Sequence, residues 1–317
     1  MPGLFVISLD FELHWGVRDH TTVDAYRENL LGVRQAVPAM LERFERRGIA
    51  ATWATVGFLF AETKKGLEQH FPRLLPTYTN PKMSPYEAMD EVGEDEAHDP
   101  FHFAPSLLRK IAKTPRQEIG THTFSHFYCL EAGQTPEQFD CDLEAAAKIS
   151  ADYGDTCKSI IFPRNQLDEP YLDVLRKRGV RAFRSNGRHW AYRAASHETR
   201  RRRAFRLADA YVPLSGTRAH DLQRPGAGEI IDVPASAFLR PWSRRLHRLE
   251  PLRHLRLARA MTRAAEEERV FHLWWHPHNF GKHTRENLAF LDGLLDVFEG
   301  LRRKHGMESV TMAEAAA

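Results

Sequence analysis

Leu4-Phe5-Val6-Ile7-Ser8-Leu9-Asp10-Phe11-Glu12 decides the reading of this chain. Its first six residues, mostly apolar and bounded by Gly3 and Asp10, predict a strand buried on both faces. Two carboxylates follow at the strand's end. In extended backbone, positions i and i+2 project to one side, so Asp10 and Glu12 face a common space. Carboxylates that close repel, and one pKa rises unless a cation lies between them. A metal on Glu12 with Asp10 left free as a base resolves the conflict; a surface turn or a helix cap is the plainer alternative.

Outward from this strand, the spacing of Leu30, Val33, Val37, Met40, Leu41 and Phe44 predicts a helix over 26–47, stopped by Gly48. Strands are expected at 49–56, 118–121, 159–162, 180–184, 230–233 and 270–275. Helices are expected at 106–112, 135–151, 169–178, 246–265 and 285–304. That alternation predicts parallel strands in βα units, as a barrel or an open sheet. Residues 66–105, rich in proline and acid, are too long for a plain connection and read as an insertion or lid.

The 317 residues carry 45 Lys plus Arg against 42 Asp plus Glu, a net charge of +3. With a mean hydropathy of −0.50, this excludes a disordered, collagen-like or disulfide-scaffold chain. No apolar run approaches the roughly 18 to 20 residues that cross a bilayer. The start of the chain has neither a basic n-region nor an h-region, so the cytoplasm is expected. Three cysteines (Cys129, Cys141, Cys157) form no CxxC pair and read as reduced. Eleven arginines lie between Arg176 and Arg206 and eight between Arg240 and Arg263, against an acidic stretch from Asp90 to Asp99. Solvated faces are the default reading; an anionic substrate or a membrane surface is the sharper one. Nucleic acid is disfavoured, because no stacking aromatics or recognition motif accompany the arginines.

Two further clusters sit just past strand ends, where a βα fold builds its active site. His122 and His126, in His-Thr-Phe-Ser-His, would share one face of a helical turn within reach of a single ion. Two imidazoles and a carboxylate leave a position open for water, whose pKa a metal lowers from about 15.7 towards 7. His98 and His102 are a rival pair, but Pro100 breaks their helical spacing and no strand end adjoins them. The third cluster is Leu273-Trp274-Trp275-His276-Pro277-His278. An imidazole there suits protonation of a leaving amine. The tryptophans suit sugar stacking or core packing, and alternation gives one of them to the core. No G-x-S-x-G elbow supports a serine nucleophile.

In order along nearly the whole chain, these clusters resemble the polysaccharide deacetylase family, carbohydrate esterase family 4 with its NodB homology domain. Asp10-Phe11-Glu12 looks like its Asp-x-Glu branch, which implies Asp10 as catalytic base and Glu12 as metal ligand. His-Thr-Phe-Ser-His resembles the family's histidine motif and implies His122 and His126 as ligands. Leu-Trp-Trp-His-Pro resembles its late motif and implies His276 as general acid, with His278 as the fallback. The family's Arg-Pro-aromatic motif is reordered here as Phe162-Pro163-Arg164-Asn165-Gln166. The resemblance assigns Arg164 to hold Asp10 and the backbone N–H near Asn165 to the oxyanion. Asn165, Arg184, Asn186, Trp275 and His278 are expected at the substrate.

The fold so implied is a distorted (β/α) barrel of about seven parallel strands, one domain over 1–317. One divalent ion is expected, zinc first, with Co²⁺, Ni²⁺, Mn²⁺ and Fe²⁺ as alternatives. A cytoplasmic member would meet nucleotide- or lipid-linked N-acylated sugars in lipopolysaccharide O-antigen or capsule synthesis. The arginines suit the phosphates of such substrates. The helix carrying Arg244, Arg245, Arg248, Arg256, Arg259 and Arg263 would then rest on the inner membrane or serve as an ordinary barrel helix. An allantoinase-like amidohydrolase and an inactive glycan-binding barrel are the competing readings.

Overall fold

The computed structural model describes residues 2–187, 189–194, 199–222, 226 and 229–317. The quoted strand becomes β1 (Leu4–Phe11), fully parallel to its neighbours. The other strands are β2 (Ala51–Thr55), β3 (Gln117–Thr121), β4 (Ser159–Ile160), β5 (Ala182–Phe183), β6 (Ile231–Asp232), β7 (Ala237–Phe238), β8 (Val270–Trp275) and β9 (Glu308–Val310). They form one sheet in the order β6-β5-β4-β3-β2-β1-β8-β7, with β9 beside β1. β9 pairs with Leu4 to Val6, while β2 pairs with Ser8 to Phe11 further along the same strand. The expected barrel of parallel strands is present, with two short strands, β7 and β9, beyond those read in the sequence.

The sheet curls until its two ends nearly meet. Between β6 and β7 the chain crosses from one end to the other: Ala235 N–H donates to the Ser185 carbonyl and Ser236 N–H to that of His272, both at 2.9 Å.

The helices are α1 (Val23–Arg47), α2 (Lys64–Glu68), α3 (Pro105–Lys113), α4 (Pro136–Ile149), α5 (Glu169–Lys177), α6 (Arg200–Asp209), α7 (Glu250–Glu266), α8 (Thr284–His305) and α9 (Met312–Ala315). α1 shows why they form where they do. The Thr22 hydroxyl caps its first turn, a stripe from Leu30 to Phe44 is buried, and Gly48 at φ 62° ends it. Strand alternation divides the core in two. Phe5, Ile7, Leu9 and Phe11 point outward under the helices, whereas Val6, Ala54, Ile161, Ala182, Ile231 and Met312 fill the barrel's interior. α9 seats Met312 and Ala315 in that interior cluster, and the polar residues lie above it.

Residues 66–105 pack against this frame rather than away from it. Met89, Val92, Phe101 and Phe103 join the outer core, and Trp15 Nε1 donates to the His102 carbonyl at 2.9 Å.

Candidate active site and metal centre

Along β1, the alternation that buries Leu9 outward turns Ser8 and Asp10 inward, and Glu12 follows them at the rim. Asp10 and Glu12 are 3% and 4% exposed. Glu12 Oε2 lies 3.2 Å from His122 Nε2 and 3.1 Å from His126 Nε2. Donor atoms of the three residues all fall within 4.8 Å of one another. His122 Nδ1–H donates to the Ile161 carbonyl at 2.7 Å, which leaves Nε2 as the lone-pair atom facing Glu12. Three features fit a divalent cation here. The donor set is two imidazoles and a carboxylate. His122 Nε2 and His126 Nδ1 are buried with no hydrogen-bond partner. Finally, Gly16 clears the seat of the carboxylate: a Cβ there would lie 1.9 Å from Glu12 Cδ.

The histidines do not converge from a helical turn as expected. Their segment is a loop, with Thr123 at φ 64° and His126 at φ 59°, left-handed positions that a side chain enters only when held. The hold comes from α4. The buried Asp142 carboxylate accepts from Phe124 N–H at 2.6 Å, from Ser125 N–H at 3.2 Å and from the Ser125 hydroxyl. Burial pushes Asp142 up to about 7 against the pull of those bonds. Sequence reading passed over Asp142, because an acid in an amphipathic helix normally faces water.

Asp10 is gripped by Arg184, which reaches in from just past β5. Nη1 donates to Oδ1 and Nη2 to Oδ2, both at 2.7 Å. This corrects the assignment of Arg164 to Asp10, and that of Arg184 to the substrate. Arg184 follows Ala182 on the inner face of β5 and is 1% exposed. Arg164 sits in the turn Pro163–Asn165 at φ 53°, which directs it to Asp19 and to within 3.7 Å of Glu131. The expected oxyanion donor is also otherwise engaged: Asn165 N–H donates to the Phe162 carbonyl at 2.8 Å. The Asn165 side chain instead accepts from Arg184 Nη2 at 2.9 Å.

Beneath this pair lies a chain that sequence reading missed. Arg184 Nη1 donates to Ser8 Oγ at 2.9 Å, the Ser8 hydroxyl to His272 Nε2 at 2.8 Å, and His272 Nδ1–H to the Val233 carbonyl at 2.9 Å. Burial pushes His272 down to about 3, which favours the neutral ring that accepts at Nε2 and donates at Nδ1. For Asp10, burial raises the pKa, but Arg184, His276 and His122 together hold it below the ordinary value. For Glu12, burial likewise opposes His276, His122 and His126, which keep it well below the usual carboxylate range.

His276 follows β8 and closes the cluster. Its Nε2 is 3.5 Å from Glu12 Oε1 and 3.8 Å from Asp10 Oδ2, with about a quarter of the side chain exposed. His278 stacks behind it, ring centroids 5.0 Å apart, buried at 4% and pushed down by burial to about 3. His278 therefore faces His276 and Tyr26 rather than a substrate. Trp275 is corrected in the same way. It is fully buried against Phe44 and Phe280, and its neighbour Trp274 is the one that faces a cavity of about 710 Å³ with Asn165 and Asn186. The rival histidines separate: His98 pairs with Asp95 and His102 with Asp99, each at 2.7 Å.

The family model described as polysaccharide deacetylase matches residues 21–183, just over half of the chain. The chain belongs to the polysaccharide deacetylase family. Its members are hydrolases of acetylated carbohydrate, and this deacetylase-family chain is a hydrolase. Asp10, Glu12 and His276 lie outside the matched residues and reach the histidines through the fold. No curated protein matches the chain by sequence. Among solved structures it is similar to a Mycobacterium smegmatis protein described as a polysaccharide deacetylase, at 12% identity and TM-score 0.59, over 100% of this chain and 90% of that one. It is similar to the α-amylase AmyC of Thermotoga maritima, at 11% identity and TM-score 0.58, over 99% of this chain and 74% of that one. A third likeness is to the PuuE allantoinase, at 10% identity and TM-score 0.52, over 99% and 88%. At such identities these likenesses show the fold alone.

Proposed function

We propose that this polysaccharide deacetylase removes the acetyl or formyl group from an amino sugar in a surface-glycan precursor, O-antigen or capsule. One divalent ion, zinc first, would be held by Glu12, His122 and His126, and residues 1–317 would act as one catalytic domain. A single observation carries the reading: Asp10, locked by Arg184, and His276 both border the three-donor cluster, His276 Nε2 lying 3.5 Å from Glu12 and 3.8 Å from Asp10. When bound, such an ion polarises an amide carbonyl and lowers the pKa of a water from about 15.7 towards 7. The Arg184 fork keeps Asp10 ionised and aimed, so that Asp10 takes the proton of the attacking water. His276, half-buried and within reach of both carboxylates, delivers a proton to the departing nitrogen. Trp274 offers a ring face to the sugar, and Asn165 and Asn186 offer polar side chains along the same wall.

The substrate would be linked to a nucleotide or a lipid, on the cytoplasmic side of the inner membrane. Peripheral contact with that membrane is supported by Leu249, Leu252 and Leu255, each more than a third exposed, beside the exposed Arg244, Arg245, Arg248 and Arg259. Arg256, expected on that face, is instead buried against Asp209 at 2.7 Å. No described helix is long and apolar enough to cross a membrane. A screen of nucleotide-linked and lipid-linked N-acyl sugars for released acetate or formate tests the reading. Release from a small non-sugar amide alone would overturn it in favour of an amidohydrolase.

A further inference from the structure

The cavity beside Trp274 is built for negative charge. Among the described residues, eight arginines line it against one carboxylate, that of Asp209. Asp209 has little left to give. It already accepts from the Tyr192 hydroxyl at 2.6 Å, Ser215 N–H at 2.7 Å, the Ser215 hydroxyl at 2.8 Å and Arg256 at 2.7 Å. Arg253 is committed to Glu250 and the Arg240 carbonyl.

Arg218 and Arg240 are different. Both are half-buried, and neither has a carboxylate hydrogen-bonded or ion-paired to it among the described residues. Arg218 is fixed in place, its Cζ 3.8 Å from the centroid of the Tyr192 ring and its buried Nε without a partner. Burial lowers the pKa of both guanidiniums. Asp209 attracts Arg218 only from beyond hydrogen-bond reach; a desolvated cation with no anion in contact is unfavourable, and the planar fork of arginine matches the oxygens of phosphate. The cavity meets the catalytic cluster at Trp274, whose ring lies 5.6 Å from that of His276. A neutral N-acyl sugar would leave these charges unanswered.

We propose that Arg218 and Arg240 form an anion subsite that holds the diphosphate carried by the sugar, as a nucleoside diphosphate or a polyprenyl diphosphate. The subsite rests on the deacetylase reading for the sugar, but not for the anion.

Titration of the purified full chain with inorganic diphosphate, followed calorimetrically, tests it. Saturable binding is expected, weakened tenfold or more in Arg218→Ala and in Arg240→Ala, and unchanged in Arg285→Ala, whose side chain is 92% exposed. Binding should survive in Glu12→Gln, which removes a metal donor but no arginine. Thermal melts check folding, and Arg218→Gln serves should the alanine variant not fold. Affinity unchanged in both arginine variants, or lost in Glu12→Gln, would overturn the proposal. Displacement by a uridine diphosphate sugar identifies the nucleotide source and displacement by a polyprenyl diphosphate in detergent the lipid source; displacement by neither counts against the subsite. Acyl release is read separately, so a chain that binds diphosphate yet deacylates no amino sugar sinks the enzymatic reading and leaves the subsite standing.

Discussion

At the scale of single residues, the site depends on keeping a carboxylate charged where little water reaches. Asp10 is 3% exposed and tolerable there only because Arg184 answers it with two hydrogen bonds. Replacing Arg184 with Met leaves that charge unpaired. Urea unfolding should then show a loss of about 3–5 kcal/mol, the usual cost of breaking a buried pair; a loss below about 1 kcal/mol would mean Asp10 is held otherwise. Asp10→Asn preserves shape but not basicity, so turnover should be abolished while bound metal, measured by elemental analysis, stays near wild type. His122→Ala should lose both. The convergence of Asp10, Glu12, His122, His126 and His276 was legible because each lies at or just past the end of a strand in a recognisable pattern. Arg184 was not, because the reordered Pro163-Arg164-Asn165 offered a nearer arginine. The signal that could have found it is alternation: Arg184 is two residues beyond Ala182 on an inward face. Ser8 and His272 carry no motif at all, and they meet because β1 and β8 pair with Val6 opposite His272.

At the scale of elements, the loop that carries His122 and His126 is shaped by its neighbours. Asp142 on α4 ties down Phe124 and Ser125, and its burial raises the carboxyl from an ordinary value near 3.8 to about 7. The folded chain therefore holds this proton over a range in which the unfolded chain has released it. Its contribution is complete below about pH 4 and is lost as pH rises through about 7, at up to about 1.4 kcal/mol per pH unit. Denaturation at several pH values should show that decline in the wild type and a flatter profile in Asp142→Asn; parallel profiles would contradict it. Gly16, in the turn after β1, makes a second demand. Gly16→Ala places a methyl against the Glu12 carboxyl, so metal content should fall while thermal unfolding stays cooperative. Long strands and amphipathic helices were readable from periodicity. β7 and β9, of two and three residues, hold too few positions for a pattern, and α6 carries four consecutive arginines instead of an apolar stripe.

At the scale of the whole molecule, the parallel curl explains why residues from position 10 to position 276 share one cluster. Every strand delivers its C-terminal end to the same rim, above an apolar plug closed from below by α9. The barrel and its motif order could be read from the sequence; the closure by Val233 to Ser236 could not, since it follows from sheet curvature. Because the donors come from β1 and from the loop after β3, a bound ion ties distant parts of the chain together. Metal at a hundred times its dissociation constant should add about 2.7 kcal/mol of stability, visible as a higher melting temperature than after chelation. The most direct measurement is acetate released from an N-acetylated amino sugar by the wild type, by the chelated chain and by Asp10→Asn. Metal-dependent deacylation with Asp10 as base requires release by the wild type, loss on chelation with recovery on added zinc, and none from Asp10→Asn. Undiminished release after chelation, or from Asp10→Asn, would contradict it.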